Sequence, residues 1–396
     1  MIKRSEYLGQ LASFRDKQLI KVITGIRRCG KSTLLERFRD ELRKNGVSER
    51  QMTALNFEDA DLEGLMERKA LYSYIKKRLI PDQMNYIFLD EIQHIEQWQR
   101  VVDSLFIKKN CDVYVTGSNA YLLSGELATL LSGRYVEIKM LPLSFAEYLS
   151  ATPDKTDLTR KYNSYIQRSS FPYTLELDKP KDVRAYLDGI YSSVVLKDVV
   201  KRKRIADVAA LESVIRFMFD NIGNPCSAKK IADTLTSGGR KISSHTIESY
   251  LTALCDSFIL YKTGRYDVKG KQHLKTGEKY YVADIGLRYY LLGAQKADLG
   301  RALENVVFLE LLRRGSEVWI GKVGATEVDF VAANENGVAY YQAALTVRDE
   351  STLARELKPL DNITDHNPKY LLTMDEDPEV SHNGIRQLNA LDWLLG

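Results

Sequence analysis

The feature that most constrains this chain is Gly25-Ile26-Arg27-Arg28-Cys29-Gly30-Lys31-Ser32, a G-x-x-x-x-G-K-[ST] run. It lies between an apolar stretch, Leu19 to Thr24, and a helical pattern beginning Leu34, Leu35, Phe38. Strand, glycine loop and helix in that order call for a wound α/β sheet with the loop at the end of a buried strand. Glycines let backbone N–H groups close around phosphate, and the helix N-terminus behind them favours the anion. In such a loop Lys31 reaches the β and γ phosphates and the Ser32 hydroxyl meets Mg²⁺. Gly25 to Thr33 is therefore the expected nucleotide loop.

A second signal follows in Tyr86-Ile87-Phe88-Leu89-Asp90-Glu91, where four apolar residues build a buried strand and two carboxylates emerge at its end. Asp90 is placed to hold Mg²⁺ through water, and Glu91 to polarise the attacking water as general base. A strand ending in a solvated acidic turn is the plain alternative. Val113 to Thr116 ends in Gly117-Ser118-Asn119, so Ser118 or Asn119 is a candidate to orient that water, although the tripeptide is also an ordinary turn. Arg134, in Leu131-Ser132-Gly133-Arg134, is a candidate arginine finger toward a neighbouring subunit, a role worth roughly 10³ to 10⁵ in kcat. A surface arginine capping the loop is the alternative. No N-K-x-D guanine-reading tetrapeptide follows, so ATP with Mg²⁺ is expected. Cys29 stands beside Gly30 near a helix N-terminus, a setting that lowers a thiol pKa and predicts a reactive cysteine shielded by ATP.

Short apolar runs at Leu19–Thr24, Met52–Phe57, Tyr86–Leu89, Val113–Thr116 and Tyr135–Ile138 alternate with helical patterns. Trp98, Val101, Val102, Leu105 and Phe106 form one helical stripe. These place an α/β ATPase domain over residues 1–150. Residues 151–220 read as a helical lid. Residues 221–282 read as a winged helix-turn-helix, with a helix at Ser227–Thr236, a Gly238-Gly239 turn, a helix at Ser243–Phe258 and a strand at Ile259–Thr263. The order helix, three strands, helix, strand makes 283–396 a small separate α/β domain. Four scattered cysteines read as free thiols, and no signal peptide or membrane span is visible, so a cytoplasmic protein is expected.

Ile23-Thr24-Gly25-Ile26-Arg27-Arg28-Cys29-Gly30-Lys31-Ser32-Thr33, Phe88-Leu89-Asp90-Glu91-Ile92-Gln93, Thr116-Gly117-Ser118-Asn119 and Ser132-Gly133-Arg134 with Leu141-Pro142-Leu143-Ser144-Phe145 together resemble a prokaryotic family of AAA+-type ATPases related to the STAND class. In that family an ATPase module precedes a winged helix and a C-terminal domain of unknown function. The resemblance covers nearly the whole chain and implies an ATPase.

The net charge of +4 hides an uneven distribution. Residues 226–279 hold ten Lys/Arg against five acids, and Lys197 to Arg204 adds five bases and one acid. Residues 349–379 hold nine acids against three bases. A helix-turn-helix with a basic loop suits phosphate-backbone contact, so DNA is the expected partner. The face Ser243, Ser244, His245 and Glu248 lacks a bidentate base reader, which predicts weak sequence specificity. Glu304, Glu327 and Asp329, with the strand Tyr340-Tyr341-Gln342-Ala343-Ala344, resemble a PD-(D/E)xK nuclease fold, while Glu327 and Asp329 read equally well as outward-facing residues of a strand. In that fold Gln342 replaces the second acidic ligand and Ala344 the lysine, which predicts an inactive site. The expected function is an AAA+-type ATPase whose nucleotide state switches the winged helix on DNA, in an oligomer or activated by a partner, away from any membrane. A nucleotide-gated protein-interaction switch and an ATP-dependent nuclease are the alternatives.

Overall fold

The computed structural model describes residues 2–120, 131, 133–152, 156–194, 199–200, 205–293 and 298–396. The chain divides into two compact units, Met1–Met140 with Asp256–Phe258, and Leu141–Cys255 with Ile259–Gly396.

The first unit holds a parallel five-stranded sheet, ordered β2-β3-β4-β1-β5. Its strands are β1 (Ile20–Thr24), β2 (Met52–Asn56), β3 (Asn85–Asp90), β4 (Cys111–Gly117) and β5 (Tyr135–Lys139). Every residue of β1, β3 and β4 is buried, whereas β2 and β5 form the partly exposed edges. Strands covered on both faces read as continuous apolar runs, which is why the sequence locates them within a residue or two. Helices α1 (Ser5–Ser13), α2 (Lys31–Lys44), α3 (Arg68–Lys76) and α4 (Trp98–Phe106) accompany the sheet. Trp98, Val101, Val102 and Leu105 are buried in one core with Ile87, Leu89, Val113 and Val115. The helix α1 was not expected from the sequence.

The second unit begins with α5 (Phe145–Ser150), α6 (Leu158–Arg168), α7 (Pro180–Ser192) and α8 (Val208–Asp220), then α9 (Ala228–Ser237) and α10 (Ser244–Asp256). A hairpin of β6 (Leu260–Asp267) and β7 (Gln272–Val282) follows, then α11 (Ile285–Leu292) and α12 (Leu299–Arg313). The chain closes with β8 (Glu317–Val323), β9 (Thr326–Asn334), β10 (Gly337–Ala344), α13 (Glu350–Asp361), β11 (Lys369–Thr373), β12 (Val380–His382), β13 (Ile385–Asn389) and α14 (Ala390–Leu395). The helix α11 packs on α6, α7 and α8. Its Gly286 lies against Ser169, where an added Cβ would meet backbone at 2.4 Å, so only glycine fits. Asp284 caps α11 and accepts from the Ser170 amide and hydroxyl, both at 2.6 Å.

The hairpin and the terminal strands share one eight-stranded sheet, ordered β12-β13-β11-β10-β9-β8-β6-β7. The junction is β6 parallel to β8, with Arg265 opposite Ile320 and Tyr266 opposite Gly321. The chain is thus continuous across residue 282, where a domain boundary was expected. Residues 151–220 fall within this unit. A parallel pairing between strands some fifty residues apart leaves no local trace in sequence. Among the described residues no helix is long and apolar enough to cross a membrane.

Candidate nucleotide site

β1 delivers its chain at Thr24 into the loop. Gly25 has φ +148, and a Cβ there would stand 2.1 Å from the Met140 carbonyl oxygen, so no other residue fits. Arg28 at φ 68 and Gly30 at φ 103 turn the chain into α2, whose N-terminus carries no side-chain cap. Its first amide groups are left for a ligand, and the helix dipole favours an anion. Lys31 is 4% exposed and donates Nζ to the carbonyls of Gly25 at 3.0 Å and Ile26 at 3.3 Å. Its ammonium also lies 3.8 Å from Glu91 Oε1.

Asp90 ends β3 and accepts from the Thr116 hydroxyl, with the Ser32 hydroxyl acting on the same carboxylate. Burial pushes its carboxyl above the usual range, and those two hydroxyls oppose the rise. Glu91 has φ 50, a strained conformation for a side chain of its size. Its amide donates to Thr116 Oγ1 at 2.9 Å, and its carboxylate accepts from the Gln93 amide and from Ser118 Oγ at 3.2 Å. Burial works to raise the Glu91 carboxyl, but Lys31, Gln93, Arg27 and Ser118 together outweigh it and hold it below the ordinary value. Lys31, Ser32, Asp90, Glu91 and Ser118 thus converge on one place. The Ser32 hydroxyl and the Asp90 carboxylate fit a hydrated Mg²⁺, and the loop amides with Lys31 fit a polyphosphate.

Other sequence candidates fare differently. Asn119 is buried beside Ser118. Arg27 pairs with Glu58 at 2.9 Å, while Arg28 and Thr33 are exposed. Arg134 precedes β5 at the amino end of the sheet, opposite the loop at the carboxyl end. It pairs with Asp103 of α4, its guanidinium 5.5 Å from the Phe106 ring centroid. Cys29 requires correction: the thiol is fully buried, and burial raises its pKa against the pull of Lys31 and Arg4. The expectation of a reactive thiol weighed the helix N-terminus and overlooked desolvation.

The site holds residues that sequence reasoning missed. Thr116 touches both acids, and its signal is a hydroxyl directly after the run Val113 to Val115. Arg4, at φ 53 ahead of α1, donates to the Cys29 carbonyl at 3.4 Å. Glu58 and His94 bring ligand atoms within 4.8 Å of Glu91.

The acidic cluster around Glu304, Glu327 and Asp329 lies in the second unit. Glu304 accepts from Tyr281 at 2.7 Å and from Lys279 at 3.4 Å, and Lys279 pairs with Glu327 at 2.8 Å. Asp329 accepts from the Ala343 amide at 2.9 Å, and Gln342 bridges the Asp329 amide at 3.2 Å and Glu356 at 2.8 Å. Burial and Glu304 push the Asp329 carboxyl up to about 8, against Lys279. Ala344 is buried in the apolar core. Lys279 of β7, also buried, is the ammonium paired with Glu304 and Glu327.

The basic stretch is less free than its composition suggests. Lys262 pairs with Glu278, Arg265 with Glu327, Arg240 with Asp207, and Lys279 is buried in its acidic cluster. Lys229, Lys230, Lys241, Lys269 and Lys271 stay exposed. The Lys275 side chain and the five bases of 197–204 lie outside the described residues.

Residues 17–149 match a family described as AAA domain, and residues 159–298 match a domain of unknown function. An uncharacterized protein of Haemophilus influenzae is 41% identical over 399 residues, covering 100% of this chain and 99% of the relative. The chain belongs to that protein's family, one of AAA-type P-loop ATPases. The uncharacterized protein MJ1544 of Methanocaldococcus jannaschii is 32% identical over 340 residues, covering 80% of this chain and 73% of its own. Among solved structures, the Walker-type ATPase PABY2304 of Pyrococcus abyssi shares the fold at a TM-score of 0.51 and 13% identity. That match covers 74% of this chain and 96% of that one.

Proposed function

We propose that this AAA-type ATPase binds ATP with Mg²⁺ at Gly25–Thr33, hydrolyses it, and uses the nucleotide state to switch a winged helix, formed by α9, α10 and the β6–β7 hairpin, on DNA. The observation that carries this reading is the convergence at the loop mouth. The Ser32 hydroxyl lowers the Asp90 pKa there, against the burial that raises it, and Lys31 stands 3.8 Å from Glu91. Ser32 and Asp90 would hold Mg²⁺, which screens phosphate charge when bound. Lys31 exchanges the Gly25 and Ile26 carbonyls for phosphate oxygens. Glu91, held below the ordinary carboxyl range, is ionised at neutral pH and takes the proton of the attacking water. Ser118 orients that carboxylate, with Asn119 beside it, and Thr116 fixes the Glu91 backbone. Arg134, at the far end of its own sheet, serves the nucleotide of a second copy.

Gln342, Ala344 and the engagement of Glu304 and Glu327 by Lys279 support a terminal domain that no longer cleaves nucleic acid. The internal pairing of four of the bases in 226–279 favours a second reading, a nucleotide-gated protein-interaction module. Salt dependence separates the two, since phosphate contacts make log K fall with log salt. Neutralising Lys269, Lys271 and Lys275 flattens that slope if DNA is the partner. For the nucleotide site, Lys31→Ala abolishes ATP binding or turnover in a steady-state phosphate-release assay. Glu91→Gln retains ATP binding and loses hydrolysis; turnover at the wild-type rate in Glu91→Gln overturns the base assignment.

A further inference from the structure

The β6–β7 hairpin forms one end of the eight-stranded sheet, with β7 as its edge strand. On one face of that end three rings cluster. Tyr266 lies 5.3 Å from His273, His273 lies 5.2 Å from Trp319, and Tyr266 lies 5.9 Å from Trp319, centroid to centroid. Strand register assembles them. Tyr266 stands opposite His273 on β7 and opposite Gly321 on β8, two residues from Trp319. The helix α13 packs on this sheet over β9, β10, β11 and β13. At the hairpin end His273 is exposed, and Tyr266 and Trp319 are partly exposed at the rim of the core.

Charge sits beside these rings. Lys269 and Lys271 are exposed in the turn joining β6 to β7, and neither takes part in an ion pair among the described residues. The nearby Asp267 carboxylate is turned onto the amides of Lys269 and Gly270, both at 3.1 Å. Flat rings offered to solvent next to free ammonium groups match a nucleotide chain whose bases are unstacked, with base on ring and phosphate on lysine. A duplex keeps its bases stacked on one another and can use only the lysines.

We propose that the Tyr266–His273–Trp319 surface binds single-stranded DNA, with phosphates held by Lys269 and Lys271. The proposal rests on the reading that this ATPase acts on DNA and names the form of DNA it takes. The test is fluorescence anisotropy of the full chain with labelled oligo-dT and with a duplex of the same length, at two salt concentrations. Wild-type protein binds both, and oligo-dT more tightly. Trp319→Ala and His273→Ala each lower oligo-dT affinity about tenfold while duplex affinity holds. Trp319→Phe restores most of the loss, and ATP turnover is unchanged throughout. His273→Ala removes an exposed side chain, so its result stands even if Trp319→Ala perturbs folding. Lys269→Glu with Lys271→Glu weakens both ligands and lowers the salt slope. Wild-type oligo-dT affinity in both ring variants overturns the proposal while leaving DNA binding intact. Oligo-rU binding more tightly than oligo-dT overturns the commitment to DNA. Binding of neither DNA form by the wild type overturns the DNA reading and this inference with it.

Discussion

Thr116 gives the most direct test of the nucleotide site. Its Oγ1 donates to the Asp90 carboxylate and accepts the Glu91 amide at 2.9 Å, so one hydroxyl holds both acids. Thr116→Val keeps the shape and deletes both bonds. A buried N–H left unpaired costs about 1–3 kcal/mol, and a bond to a charged group is worth about 1.5–3 kcal/mol. The two share one oxygen and do not add, so a loss of about 3 kcal/mol in unfolding free energy is expected. Urea unfolding followed by tryptophan fluorescence measures it. The Lys31 contacts are untouched, so ATP affinity stays within a few-fold. Glu91 at φ 50 loses its tether, and misplacement of a reacting group on the scale of 1 Å can cost about 10²-fold. Turnover therefore falls at least tenfold. Thr116 also opposes the burial that raises the Asp90 carboxyl. In the variant that carboxyl goes higher still, so Mg²⁺-supported binding fails at a higher pH as acid is added. Thr116→Ser restores stability and rate. A Thr116→Val protein that loses under about 1 kcal/mol and turns over like wild type would refute the reasoning.

Two further outcomes follow from buried groups. The Cys29 thiol, sealed and with its pKa raised, resists alkylation in the native protein with or without ATP and reacts only on unfolding; mass spectrometry after a timed thiol label checks this. Asp329 keeps its proton up to about 8 in the folded state, against 3.8 unfolded. Its contribution is full below the unfolded value and is lost as pH rises through about 8, so thermal stability declines across that window and Asp329→Asn flattens the decline in a pH series of melting curves.

The sequence carried the ATPase sheet well and the terminal unit poorly, for one physical reason. β1, β3 and β4 are buried on both faces, so each announces itself as an apolar run with its functional residue at the end. Lys31, Asp90 and Glu91 needed only local pattern. Thr116 needed the register that sets Leu89 opposite Val115 and so brings it beside Asp90, which no linear motif shows. Lys279 illustrates the same limit at longer range. Its ion pair with Glu327 joins β7 to β9 through a sheet that the hairpin and terminal strands build jointly, which no local pattern in the sequence shows. The short strand β12, with two exposed residues of three, lacked the apolar signal altogether. Cys29 failed for energetic reasons, because full burial outweighs the cations near the thiol.

The shared sheet also limits how a nucleotide signal can reach the hairpin. A wing joined only to its own helices can tilt independently. Here β6 lies hydrogen-bonded between β7 and β8, and Val268 at the hairpin turn is buried in the terminal core with Val323, Val328 and Val331. Lys279 adds an ionic tie from β7 to Glu327 on β9. Moving the hairpin alone would break strand pairing, open an apolar core and strand buried charge. A buried ion pair broken on one side alone already costs about 3–5 kcal/mol. A switch driven by ATP must therefore carry the hairpin and terminal strands as one body. Such a switch would change where the Tyr266–Trp319 face and the turn lysines are presented and leave their geometry fixed.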